Sequence, residues 1–189
     1  MFSINEPENV LPLTLLEDSS SEYKPRTLIN ARADVTAAFA VDFETAGERL
    51  TRKAAGRPRY IDIPFGEDIS KSADRLIAFW VSRQAETLNV AGNGIYTLNQ
   101  HGVTQMVANQ WVYDVLKLVS QKVRVTSIRS GGQTGGDIAG LVAALALKIP
   151  AIGLYPKGFR MRGADKQEIY SDAGTVEKRL LAYAGRISL

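Results

Sequence analysis

Ile128-Arg129-Ser130-Gly131-Gly132-Gln133-Thr134-Gly135-Gly136-Asp137 joins two apolar segments of different period. Before it, Val123 to Ile128 reads as a strand. After it, Asp137 to Leu147 reads as a helix whose Ile138, Leu141, Val142 and Leu145 face inward. Four glycines within Gly131–Gly136 permit backbone angles that other residues resist, and they leave no Cβ to hold a ligand off the main chain. Backbone N–H groups and the positive end of the following helix then suit a phosphate or another anion. Ser130 and Thr134 add hydroxyls, Arg129 a cation, and Asp137 either caps the helix or accepts from a ribose hydroxyl or an amine. The stretch is neither the Gly-Lys-Ser/Thr loop nor the GxGxxG spacing. The competing reading is a tight turn built on a structural glycine cluster.

Outward from this loop the same alternation repeats. Strands are predicted at Val35–Val41, Tyr60–Pro64, Thr87–Ala91 and Pro150–Leu154, and helices at Glu48–Ala55, Ser72–Gln84, Thr104–Val119 and Asp172–Tyr183. Near-continuous apolar strands separated by helices predict an α/β fold, a Rossmann-like parallel sheet covered by helices on both faces. Such sheets bind ligands beyond the carboxyl ends of their strands. Residues 1–24 read as an N-terminal arm ahead of one domain over 25–189, with Val10–Leu16 as an edge strand and Glu17–Glu22 as a polar connector.

Three further turns face the same crevice in this reading. Gly92, Asn93 and Gly94 follow a strand. Lys157, Arg160 and Arg162 follow another and offer positive charge against phosphate or carboxylate. At Asp42–Glu48, Thr45 and Glu48 form a capping box, or else the Glu48 carboxylate enters the crevice as an acceptor or general base.

Together the turns resemble a known family. Ser130 to Gly135, Asp137 and Pro156-Lys157-Gly158 are similar to the SGGQTG…D…PKG signature of molybdenum-cofactor carrier proteins. Those belong to the SLOG group of Rossmann-like folds, which also holds the LOG phosphoribohydrolases. Leu88-Asn89-Val90-Ala91-Gly92 with Gly94-Ile95-Tyr96 resembles the family's LNVAGPR…PGIY segment. Ala33-Asp34-Val35-Thr36, Thr45 and Gly56-Arg57-Pro58 resemble SDAT…GT…GKP, so the likeness covers roughly residues 30–165. The order differs: here the last two blocks precede the first, as a circular permutation would produce, and permutation preserves a sheet whose termini lie close together. Two departures stand out. Glu44 replaces the glycine before Thr45, and Phe159-Arg160-Met161-Arg162 replaces an acidic stretch. Of the LOG motif PGGxGTxxE, only Thr45 and Glu48 match.

The resemblance implies binding of an anionic nucleotide-derived ligand, such as an ADP-ribose derivative or a cyclic nucleotide signal. The protein would act as sensor, carrier or sequestering protein, as small phage proteins sequester host signals. Ser130–Gly136 would hold the phosphate, with Lys157 and Arg160 neutralising it. The alternatives are a LOG-like N-glycosidic hydrolase, with Glu48 or Asp137 assisting and Arg129 anchoring phosphate, and a carrier of a pterin phosphate.

Composition narrows the classes. The chain has 189 residues, no cysteine, a single histidine (His101) and a net charge of +3. Disulfides and thiolate–metal sites are excluded, and no metal site is predicted. The charge is too small to argue for a nucleic-acid surface. No run approaches the roughly 20 apolar residues of a membrane span, and Met1–Leu16 lacks the pattern of a signal peptide. A cytoplasmic protein is expected, with a homodimer or higher homo-oligomer formed through the arm or through Val176, Leu180 and Leu181 of the last helix.

Overall fold

The computed structural model describes residues 13–188. In chain order the elements are β1 (Leu13–Glu17), α1 (Tyr23–Asn30), β2 (Val35–Ala40), α2 (Ala46–Ala55), β3 (Tyr60–Pro64), α3 (Ile69–Arg83), β4 (Thr87–Gly92), α4 (Ile95–Gln100) and α5 (Gln105–Ser120). There follow β5 (Ser127–Ser130), α6 (Gly136–Ala146), β6 (Ala151–Tyr155), β7 (Met161–Arg162), β8 (Glu168–Ile169) and α7 (Ala173–Ala184). Six strands form one parallel sheet in the order β1-β6-β5-β4-β2-β3, and β7 and β8 pair as a separate antiparallel hairpin. The fold is α/β and Rossmann-like.

Burial on β2 shows why both faces must be covered, because all six of its residues are buried. Val35, Ala37 and Phe39 join the main core with Leu76 and Trp80 of α3, Val112 of α5 and Leu141 of α6. Ala38 turns the other way, into a smaller cluster with Ala31, Ala55 and Tyr60. Alternation along the strand thus places α3, α5, α6 and α7 on one face and α1 with α2 on the other. Ten consecutive residues of α6, Gly136 to Leu145, are buried, as expected of a helix that is apolar all round. Fully burying side chains of the size of Phe39, Leu116 or Leu141 is worth about 1.5–3 kcal/mol each.

Strand order also marks where a ligand goes. From β2 the chain moves outward to β3, then returns past β2 to β4, so the direction of winding reverses between β2 and β4. At such a switch point the connections leave on opposite faces and open a crevice at the strands' carboxyl ends.

Three expectations change in detail. The strand predicted at Val123–Ile128 runs instead over Ser127–Ser130. The end of α5 reaches further, with the N–H groups of Lys122 and Val123 donating to Val119, while Val123 and Val125 pack on the core from a connecting segment. Of the predicted Val10–Leu16 strand, Leu13–Leu16 pairs with β6 at the sheet's edge, and Val10, Leu11 and Pro12 lie outside the described residues. Helix α1 falls in a segment with no predicted element. Its Pro25 sits in the first turn, where a missing N–H removes no helix bond. Among the described residues no helix is long and apolar enough to cross a membrane.

Candidate functional site

A cleft of about 330 Å³ opens at the carboxyl ends of β2, β4 and β5, at the switch point. Of the expected site residues, Thr45, Glu48, Gly92, Asn93, Gly94, Gly131, Gln133 and Asp137 line it. Arg129, Ser130, Gly132, Thr134, Gly135, Lys157 and Arg160 do not. The Ser130 hydroxyl is buried and donates to the Val90 carbonyl at 2.8 Å. The Thr134 hydroxyl donates to the Arg162 carbonyl. Arg129 lies within β5 between Asn89 and Ile152, and Lys157 is exposed beside Ser20, whose carbonyl accepts its N–H. Arg160 is spent on Glu168 and the Ser21 carbonyl.

The glycine-rich loop is closed by the protein itself. Four consecutive N–H groups in its second half have internal acceptors: Gln133 donates to Asp137 Oδ2 at 3.2 Å, Thr134 to Gln133 Oε1 at 3.0 Å, Gly135 to Gln105 Oε1 at 2.7 Å and Gly136 to the Asn93 carbonyl at 3.0 Å. Gly132 and Gly135 have φ of +69° and +94°, a region costly for other residues. Gly131 and Gly136 are required by close approach, since a Cβ would lie 1.2 Å from Arg26 Nη1 and 2.7 Å from Gly92 Cα, respectively. The carboxylate of Asp137, in the first turn of α6, occupies the position an anion would take at this helix N-terminus.

Two residues hold the loops together across the switch point. The Asn93 side chain accepts from the N–H groups of Val41 and Asp42 at 2.8 and 2.9 Å and donates to the Asp42 carbonyl at 2.8 Å. Gln105, at the start of α5, grips Gly135 by both its N–H and its carbonyl.

Glu48 resolves between its two readings. Thr45 caps α2 by accepting from the Glu48 N–H at 3.2 Å, but no bond returns from the Glu48 carboxylate to close a capping box. That side chain, 2% exposed, enters the cleft with Oε2 unpartnered. Burial, reinforced by the nearby negative charge of Asp137, pushes its pKa up to about 8. Burial raises Asp137 as well, but there the Arg26 guanidinium and the Gln133 N–H act against it. Donors reach Asp137 and none reaches Glu48, which with a pKa of about 8 keeps its proton at neutral pH.

Sequence reasoning missed the other wall. Tyr23, Arg26, Thr27 and Asn30 of α1 line the cleft, spaced so that they form one stripe of the helix. Pro25 preceded by Glu22 was the available signal for that helix. Arg26, 7% exposed, donates from Nη1 to Asp137 at 3.1 Å. At the mouth, Arg162 lines the cleft from the β7–β8 hairpin, its N–H held by Gln133 Oε1 at 2.6 Å. Arg26, Arg160 and Arg162 all lie within 6 Å of the Tyr23 ring, at 5.3, 5.1 and 5.8 Å. Glu168 binds both hairpin arginines and the Tyr23 hydroxyl; burial alone would raise its pKa, yet these hydrogen bonds hold it down at about 2.

No family model matches this chain, and neither a curated protein nor a solved structure matches it.

Proposed function

We propose that the cleft binds a nucleotide-derived small molecule, as sensor, carrier or sequestering protein. One observation carries this reading. Arg26 Nε, both polar atoms of Asn30 and Glu48 Oε2 are buried without a protein partner, and all belong to residues lining this single cleft. Buried polar groups cost free energy unless hydrogen-bonded, so a ligand rich in donors and acceptors is the natural complement. The volume suits a small molecule.

Because the N–H groups from Gln133 to Gly136 are engaged internally and Asp137 stands at the start of α6, the phosphate goes elsewhere in this reading. Arg162 at the mouth and the first turn of α2, Thr45 to Gly47, supply the cation and the helix N-terminus an anion needs. A SLOG-type origin with permuted order is part of the same proposal; that β2, β3 and the Gly131 loop share one sheet supports it.

Thermal unfolding with AMP, ADP-ribose and cyclic nucleotides tests the proposal, alongside native mass spectrometry of the purified protein. A ligand at 100 times its dissociation constant should add about 2.7 kcal/mol of stability. An unchanged transition with every nucleotide, together with no carried-over small molecule, would overturn the reading.

The carboxyl pair favours a second reading, hydrolysis of the ligand's N-glycosidic bond. Protonated Glu48 would donate its proton to the departing base as water adds to the sugar carbon, and the proton that the water sheds would return to the Glu48 carboxylate. Chromatography for free base released from AMP checks this, and Glu48→Gln must abolish any release.

A further inference from the structure

The cleft does not end at the strand termini. It continues between α1 and α2 over the sheet, where Asn30, Thr51 and Asn89 line it. Asn89 is three residues back from the end of β4, and its Nδ2 is turned to the Thr36 hydroxyl at 3.2 Å. Asn30 closes α1 and is 2% exposed, yet neither Nδ2 nor Oδ1 has a protein partner. Glu48, on the facing helix, leaves Oε2 bare as well.

We propose that this inner end is a subsite for a nucleobase edge, read by the Asn30 carboxamide with Glu48 across from it. The inference rests on the nucleotide reading above and adds which part of the ligand points inward. A carboxamide offers two donors and an acceptor side by side. It therefore complements a group that presents an acceptor and a donor together, as Asn does against the edge of adenine. A phosphate has only acceptors and would leave Oδ1 bare. The cations stand further along: Arg26 is one helical turn away and paired with Asp137, and Arg162 lies beside Tyr23 at the opposite end of α1. From Tyr23 to Asn30 the α1 stripe spans about 10 Å at 1.5 Å per residue, so base, sugar and phosphate fit along it in that order from the inside out. Glu48 holds a proton at neutral pH, with a pKa of about 8, and so presents an O–H to a ring nitrogen or carbonyl without placing a negative charge against it.

Titration calorimetry of the full chain with AMP, GMP, CMP, UMP and ribose 5-phosphate tests the assignment. At least one nucleotide is expected to bind about tenfold or more tighter than ribose 5-phosphate, the scale of leaving one buried polar group unpaired. Asn30→Ala should bring that nucleotide down to the level of ribose 5-phosphate. Asn30→Asp keeps the shape but loses the donors, and should reorder the four bases. Ribose 5-phosphate binding as tightly as every nucleotide would mean that a sugar hydroxyl pair occupies the subsite, and would overturn the assignment while leaving the nucleotide reading intact. The assignment is overturned in the same way if both Asn30 variants keep the wild-type ranking. If none of the five binds, the subsite assignment falls, and the nucleotide reading falls with it when ADP-ribose and the cyclic nucleotides also leave the unfolding transition unchanged.

Discussion

Arg26 and Asp137, 111 residues apart in the chain, meet at 3.1 Å with side chains only 9% and 8% exposed. The guanidinium lies where a Cβ on Gly131 would be. One glycine of a loop that looks made for a ligand's anion thus admits a cation belonging to the protein, and the anion it meets is the protein's own Asp137. The pair ties α1, on one face of the sheet, to the start of α6 on the other.

Removing one partner of a buried pair leaves the other charge uncompensated. Arg26→Ala should therefore destabilise the fold by about 3–5 kcal/mol, whereas Arg26→Leu combined with Asp137→Asn should cost less than Arg26→Ala alone. Urea unfolding measures both. Additive losses in the double variant would show that the two residues do not act as a pair.

Glycines at this site should differ sharply in tolerance. In Gly136→Ala the new Cβ lies 2.7 Å from the Cα of Gly92, main chain that cannot swing aside, and a loss of about 1–3 kcal/mol is expected. In Gly47→Ala the Cβ meets nothing within 4 Å, in the first turn of α2, and stability should rise by about 0.5–1 kcal/mol. Melting temperatures moving in the same direction for both would contradict this packing.

Glu48 makes stability depend on pH. In the folded protein it keeps its proton to about pH 8, against an ordinary value of 4.5. Between those values the folded state binds more protons than the unfolded chain, so the contribution of Glu48 is whole below pH 4.5 and is lost as pH rises through 8. The full shift corresponds to on the order of 5 kcal/mol. Glu48→Gln keeps the uncharged shape without the titration, so it should gain on the wild type from pH 5 to about 8 in denaturant unfolding and level off above that. A difference that is flat with pH would refute the assignment.

Glu168 acts in the opposite sense. Its pKa of about 2 lies below the usual carboxylate range, so its contribution is present at neutral pH and fades as pH falls through 2. The side chain is 24% exposed, which limits the effect of Glu168→Gln on global stability to about 1 kcal/mol. The local effect should be larger: hydrogen exchange in the β7–β8 hairpin should accelerate once Arg160 and Arg162 lose their shared carboxylate. The freed Arg162 should also bind AMP more tightly. Unchanged exchange over residues 160–170 would mean that the hairpin is held by Thr134 and Gln133 alone.

Periodicity determined the repeating strand–helix order, from Val35 to Tyr155, because a strand covered on both faces must be apolar throughout and each helix apolar on its inner stripe. It also located the turns that line the cleft, and Thr45, Glu48, Asn93 and Asp137 come together there. Local pattern carries less information where an element is held mainly by distant partners. Helix α1 is short, and two of its residues, Arg26 and Asn30, are polar yet buried, so its sequence resembles a surface connector. The use of the glycine-rich loop was beyond sequence for a related reason. A glycine that lets a ligand approach and one that lets Arg26, Gly92 or Tyr155 approach are the same residue, and only the neighbours distinguish them. Likewise the capping-box spacing of Thr45 and Glu48 fits either outcome. What decided it was the burial of that carboxyl near Asp137, which removed it from water.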